Sequence, residues 1–455
     1  MSTPKKSTRP PFAPADRPGD RPADRPGDRP ADRSGDRPAE RRADDGIWLR
    51  VTRELADDLA ADAIARDRAG KAPFDEVARL QEAGLPALLT APGPHGRGAD
   101  WRSACAVIRE ISAADGSVGE LLAHHSVLSW TTRFLGPAAG PLDLDARTAE
   151  KGWLLAGAVE PGGPDADRAG LALTPAGGGA YVLDGRRAFA SGVTVADRLV
   201  VGARCTETGD LLLVLVDPAH PAVFTDPFPD RVGQRLAGAG TVTFDKVTVA
   251  PGQVLGALPR DEHAVAPYPT LAPLALRLLL VHVGLGIAEG ALAEARDMSR
   301  ASQAVAHHPG APASGPSVPA SAPLGDDPYL LRSYGELATA AHTAAAVVDR
   351  ATDALARGLL AGPLLDVEER SDIAVLVAAA ETVANRVALD ITTRVLQLVD
   401  PATAADPYGT GPGPGFDRFW RNVRALTAAV PPDHRLRDIG DHYLNGTHAR
   451  LTLLA

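Results

Sequence analysis

Three regimes of hydrophobic spacing follow one another along the chain. From residue 48 to about residue 135, apolar side chains recur every three or four positions, the period of a helix with one buried face. In WRSACAVIREIS, Ala104, Val107, Ile108 and Ile111 form such a stripe. Gly116 is expected to end that helix, with Ser117 and Glu120 forming a capping box for the next. On that next helix, VGELLAHHSVLSWTTRFLG, His125 falls on the apolar face with Val118, Leu121 and Leu122, and His124 points elsewhere. From residue 153 to about residue 258 the period is two, the signature of strands. AYVLDGRRAFASG reads as a hairpin about Asp184-Gly185, a doublet that tolerates positive φ. LLLVLVDP and GTVTFDKVTVAPGQVLG read as further strands.

From about residue 270 the helical period returns. One helix is predicted to run to about Ser302, and a second to start at Asp327-Pro328, where proline suits a first turn. A third is predicted over roughly residues 367–398, and a fourth in GFDRFWRNVR and its continuation. On the fourth, Phe416, Phe419, Trp420, Val423 and Thr427 form the apolar stripe, and Arg418, Arg421 and Arg424 the charged face. The fold class expected is α+β: an N-terminal helical domain (45–150), a central antiparallel β domain (151–262) and a C-terminal four-helix bundle (263–455). Residues 1–44 repeat RPGDRPADRPGDRP with almost no apolar side chains, which reads as a disordered tail. HHPGAPASGPSVPASAPLGDDP, at about 303–326, is too long for a simple helix connection and reads as a mobile loop or lid.

Composition removes several classes of function. A net charge of −10 makes nucleic acid an unexpected partner. With only Cys105 and Cys205, a disulfide framework is not expected and a reducing cytoplasm is the simpler location. The charged start has no apolar stretch of the kind a secretory signal needs. No His/Cys cluster has zinc spacing, so no metal site is expected. TLAPLALRLLLVHVGLGIAEGALAEA is the most apolar segment, yet Arg277 and His282 near its middle favour a buried bundle helix over a membrane span. Its GLGIAEG lacks the preceding strand of a dinucleotide fingerprint and reads as a close helix contact.

The order of helices, strands and four more helices resembles the acyl-CoA dehydrogenase fold. AADGSVGELLAHH, LDGRRAFASG, VGQRLAGAGTVTFDKVTV, DPYLLRSYGEL and GFDRFWRNVR are similar to the flavin-dependent (group D) monooxygenase branch of that fold, the branch of dibenzothiophene monooxygenase. The resemblance spans about residues 48–446. It implies a homotetramer with flavin between the β domain and the bundle, closed by a neighbouring subunit. It further implies reduced FMN, rather than FAD, delivered by a separate flavin reductase, with O2 and a small apolar or aromatic substrate as co-reactants. In FASG it places Phe189 as a wall of the flavin site and Ser191, with Gly192 after it, as a contacting and catalytic hydroxyl. It puts Trp153 and Arg424 among the cofactor-binding residues and Arg332 of LRSYGE on the flavin phosphate, which a guanidinium can grip bidentately. It makes His125 the active-site histidine, able to exchange a proton with substrate or flavin. Read without it, Phe189 and His125 are core residues, Ser191 belongs to a turn, and Arg332 is a surface ion-pair residue.

The chain also departs from that branch. There the RFWRN helix ends in two histidines and an Asp or Asn; counted forward, those positions hold Leu426, Ala429 and Val430. Asp433 and His434 follow closely and are candidates to substitute. The GNAS-like segment of the branch reads GAVE here, at residues 157–160, without its amide and hydroxyl. No carboxylate stands where true acyl-CoA dehydrogenases often place their catalytic base. Three functions stay open: a monooxygenase, a flavoprotein of the same fold that forms no hydroperoxide and catalyses desaturation, elimination or rearrangement, and a catalytically silent homologue.

Overall fold

A computed structural model describes residues 37–136, 139–140, 142–159, 170–258, 265–306, 327–399, 415–428 and 432–448. The chain divides into two units, residues 1–44 and 45–455. Helix α1 (Arg37–Ala69) begins inside the region expected to be disordered, so residues 37–44 are helical; residues 1–36 of that expected tail lie outside the described residues.

Helices α2 (Phe74–Glu82), α3 (Trp101–Ala114), α4 (Gly116–Ser129), α5 (Thr131–Leu135) and α6 (Leu144–Lys151) complete the N-terminal region. Asp115 makes the joint between α3 and α4. Its amide bonds to the Ile111 carbonyl, and its carboxylate accepts from the Ser117 and Val118 amides. The expected Ser117–Glu120 capping box is therefore not formed. Asp115 reaches the free N–H groups first, held from behind by Arg66 at 2.8 Å. Glu120 is left without a capping role. Every α4 residue except His124 is buried, because the helix lies between other helices and the sheet rather than on a surface.

Eight strands form one sheet: β1 (Leu155–Ala158), β2 (Ala172–Gly177), β3 (Ala180–Phe189), β4 (Arg198–Cys205), β5 (Leu211–Val216), β6 (Val223–Pro227), β7 (Gly240–Val249) and β8 (Val254–Leu258). The order is β6-β7-β3-β2-β4-β5-β8, with β1 against β4. This sheet is mixed, not antiparallel as expected: β4 runs parallel to both β1 and β2. Alternation along a strand reports burial of one face and carries no direction, so the crossovers that bring β4 beside β1 and β2 were invisible in it. The hairpin also turns elsewhere. Gly178 and Gly179 (φ +59° and +79°) make the turn, while Asp184-Gly185 lies inside β3, where the register with β7 shifts between Leu183 and Gly185. A doublet that tolerates positive φ serves a bulge as well as a turn.

The bundle holds α7 (Leu271–Ala306), α8 (Pro328–Ala361), α9 (Val367–Leu398) and α10 (Asp417–Thr427). The quoted fourth segment continues as a separate helix, α11 (Pro432–Asn445). Asp327 caps α8 through the Tyr329 amide, as its Asp-Pro start implied. Helix α7 is long and apolar enough to cross a membrane, but most of it is buried in the protein: Arg277 pairs with Glu381 and His282 bonds Thr352. The GLGIAEG reading holds, since a Cβ on Gly286 would lie 2.3 Å from the Arg109 carbonyl oxygen and one on Gly290 2.0 Å from that of Ala113. Residues 307–326, most of the proposed lid, lie outside the described residues.

Candidate functional site

Four segments converge where the sheet meets the helices: α4, the loop after β3, the β6–β7 loop and α10. The two loops are stitched together by the Gly192 amide on the Ala237 carbonyl (2.7 Å) and the Thr194 amide on that of Gly238 (3.2 Å). Arg231 adds bonds to the Ala190 and Gln234 carbonyls at 3.2 and 3.1 Å. The Gln234 amide donates to Asn422 Oδ1 at 2.7 Å, which ties the β6–β7 loop to α10. Gly192 has φ +81°, and a Cβ there would stand 2.6 Å from that of Ala156, so the turn requires glycine.

Within this junction several buried polar atoms have no hydrogen-bond partner: Ser191 Oγ, Glu120 Oε2, Thr194 Oγ1, and both amide atoms of the Gln234 side chain. Ser191 is 3% exposed and Glu120 4%. Orphaned buried polar groups are rare because each forfeits its hydration, so this group of them makes the junction a candidate place for a bound polar molecule. Burial pushes the Glu120 carboxyl up to about 7, against a smaller opposing pull from Arg231. Burial likewise brings His124 down to about 4, which keeps it neutral.

Of the residues singled out in the sequence, Ser191 and Gly192 stand in this junction. His125 has a different role from the one expected. Its Nδ1 accepts the Leu155 amide at 2.9 Å, so the proton sits on Nε2 and is donated to the Pro86 carbonyl at 2.8 Å. Both ring nitrogens are engaged by backbone, the ring is 1% exposed, and burial lowers its pKa to about 4. No ring nitrogen is left to exchange a proton with a ligand, and His125 instead joins α4 to β1 and to the turn after α2. Phe189 presents no free wall: its ring belongs to the apolar core of the sheet, with the Arg187 guanidinium 5.3 Å from its centroid. Trp153 is half-buried beneath Arg198, whose guanidinium lies 4.7 Å from the ring centroid.

Arg332 is not brought to the junction within one chain. It is 78% exposed on α8 and bonds Glu336 at 2.9 Å. Arg424 is exposed on α10, but the other arginines of the expected charged face point inward: Arg418 pairs with Glu294 and Arg421 with Asp67. Leu426 packs at the edge of the helical core, Asp433 and His434 are exposed on α11, and Ala429 and Val430 lie outside the described residues. Gly157 (φ +134°) would place a Cβ 1.9 Å from the Val200 carbonyl oxygen, so the β1–β4 contact excludes any side chain there.

Sequence reading missed Glu120, Arg231, Gln234 and Asn422. One signal was available for Glu120, a carboxylate among apolar residues in VGELLAHH. The others follow from loop packing that no local pattern encodes.

Comparison with known proteins agrees with this architecture. The family profile for the acyl-CoA dehydrogenase N-terminal domain matches residues 47–138. Dibenzothiophene monooxygenase of Rhodococcus qingshengii is 32% identical over 418 residues, covering 89% of this chain and 95% of the relative. The probable FMNH2-dependent monooxygenase SfnC of Pseudomonas putida is 29% identical, covering 87% and 94%. Among solved structures, the complex of TdsC from Paenibacillus sp. A11-2 with FMN and indole superposes with a TM-score of 0.78 at 28% identity, covering 90% of this chain and all of that one. Butyryl-CoA dehydrogenase from Megasphaera elsdenii, 19% identical with a TM-score of 0.69, shares the fold. The chain therefore belongs to the flavin-dependent monooxygenase family that includes dibenzothiophene monooxygenase, built on the acyl-CoA dehydrogenase fold.

Proposed function

We propose that this protein is the oxygenase component of a two-component system, using reduced FMN from a separate reductase and O2 to oxygenate a small apolar or aromatic compound. The observation that carries the proposal is the set of orphaned buried atoms at the sheet–helix junction, on Ser191, Glu120 and Gln234. Hydroxyl, carboxyl and amide groups together match the alternating donors and acceptors of a flavin ring edge, so the residues fit the cofactor. When bound, reduced FMN supplies the electrons and activates O2. Ser191 and Gln234 would hold the ring by its polar edge, and the glycine turn at Gly192 lets backbone approach it. The apolar sheet core behind Phe189 and the buried α4 exclude water, which protects an oxygen-activating site from side reactions. Exposed Arg332 would complete a neighbouring subunit's site in a homotetramer; exposed Tyr329 and Leu331 beside it suit such an interface.

A second reading, a flavoprotein that does not oxygenate, is supported by Leu426 standing apolar where the branch has a polar group. One experiment separates them. Protein, FMN, reductase and heavy-isotope dioxygen are offered dibenzothiophene and indole. FMN binding with one labelled oxygen atom per product molecule is the expected result. FMN binding with hydrogen peroxide as the sole oxygen product favours the second reading, and absence of FMN binding refutes both.

A further inference from the structure

Glu120 is a liability for folding as it stands. It is 4% exposed, its Oε2 has no partner, and its Oε1 lies 3.9 Å from His124 Nε2, beyond hydrogen-bond reach. An apolar side chain would fill the same place with no desolvation cost. The capping role its position suggests is performed by Asp115. His125, the other acid–base candidate on this helix, is occupied by backbone at both nitrogens.

We propose that Glu120 is the proton-carrying catalytic residue of this sheet–helix junction, donating a hydrogen bond and then its proton from Oε2 toward the bound flavin and substrate. The proposal rests on the monooxygenase reading. Conversion of anionic reduced FMN, O2 and substrate to oxidised FMN, oxygenated product and water takes up one proton. Glu120 supplies that proton and recovers one from solvent, so atoms and charge balance over the cycle.

The electrostatic surroundings suit this role. On α4 itself, His124 is neutral and Asp115 is bonded by Arg66. Arg109 of α3 is paired with Glu289 of α7, and Arg418 of α10 with Glu294 of α7. Arg421 of α10 is paired with Asp67 of α1, and Arg133 of α5 with Asp145 of α6. Strand β1 and the turn Leu85–Ala87 carry no ionisable side chain. Among the described residues Arg231 is the charge that acts on Glu120, and burial outweighs it, so the carboxyl stays partly protonated near neutrality.

The test uses the isosteric variant Glu120→Gln. Infrared difference titration of flavin-free wild type, from about pH 5 to about pH 9, is expected to show a protonated-carboxyl band with its midpoint near about 7 that is absent in the variant. With FMN and reductase, turnover of the variant is expected to fall about 100-fold, well beyond any change in its FMN affinity. A wild type lacking that band overturns the proposal, and this measurement stands even if the variant folds poorly. A variant with wild-type turnover and pH profile also overturns it. Either failure leaves the functional reading intact, because FMN binding and labelled-oxygen incorporation by wild type decide that separately.

Discussion

Replacing His125 with alanine separates a structural histidine from a catalytic one. The ring bridges the Pro86 carbonyl and the Leu155 amide at 2.8 and 2.9 Å, and all of these groups are buried. Its removal leaves a donor and an acceptor unpaired at about 1–3 kcal/mol each. With the cavity added, the loss comes to about 3–6 kcal/mol, a large fraction of a typical domain's stability. The pH dependence sharpens the test. Burial holds His125 at about 4 in the folded protein against 6.5 when unfolded. Between those values the unfolded chain binds the extra proton, so the residue contributes nothing unfavourable above the unfolded value and destabilises as pH falls below it. From about pH 7 to about pH 5 this costs the wild type about 2 kcal/mol that the alanine variant does not lose. Urea midpoints followed by circular dichroism should show a wide gap between the two proteins near pH 8 that narrows near pH 5. A gap absent near pH 8, or one that does not change with pH, refutes the bridging assignment. Lost turnover with unchanged stability and FMN affinity would restore His125 as a catalytic group.

Gly192→Ala forces a side chain onto φ +81° and within 2.6 Å of the Ala156 Cβ. It should lower stability by about 2 kcal/mol or more and weaken FMN binding about tenfold, read by melting and flavin fluorescence quenching; wild-type affinity would remove this turn from the cofactor site. Arg418→Met leaves Glu294, about one-third exposed, without its bidentate partner and uncovers the Phe419 ring. It should destabilise by about 2 kcal/mol, less than a fully buried pair would because solvent screens the carboxylate. A neutral result in thermal unfolding would show that pair to be ornamental.

Much of the fold was legible because its signals are local. Period-of-four stripes located α3, α7 and α9, Asp327-Pro328 marked the start of α8, and alternating residues marked the strands. Such patterns record which face of a segment is dry, and that is a property of consecutive residues. The Phe419 helix shows the limit. Arg418 and Arg421 look like a solvated face, yet Glu294 and Asp67 wait for them on other helices, and a charge meets its partner at any sequence distance. Of the candidate site, only FASG was legible, where a glycine turn and a hydroxyl are adjacent in sequence.

Segment types, their order and the family resemblance were determined by the sequence itself, since hydrophobic period, capping residues and motifs act over a few residues. Tertiary structure alone decided that Asp184-Gly185 is a bulge, that β4 runs parallel to two neighbours, that both nitrogens of His125 are taken by backbone and that Glu120 keeps a buried carboxyl oxygen without a hydrogen-bond partner. The physical reason is that hydrogen-bond satisfaction and desolvation depend on which atoms from distant segments arrive around a group, and the folded chain settles all of those arrivals together.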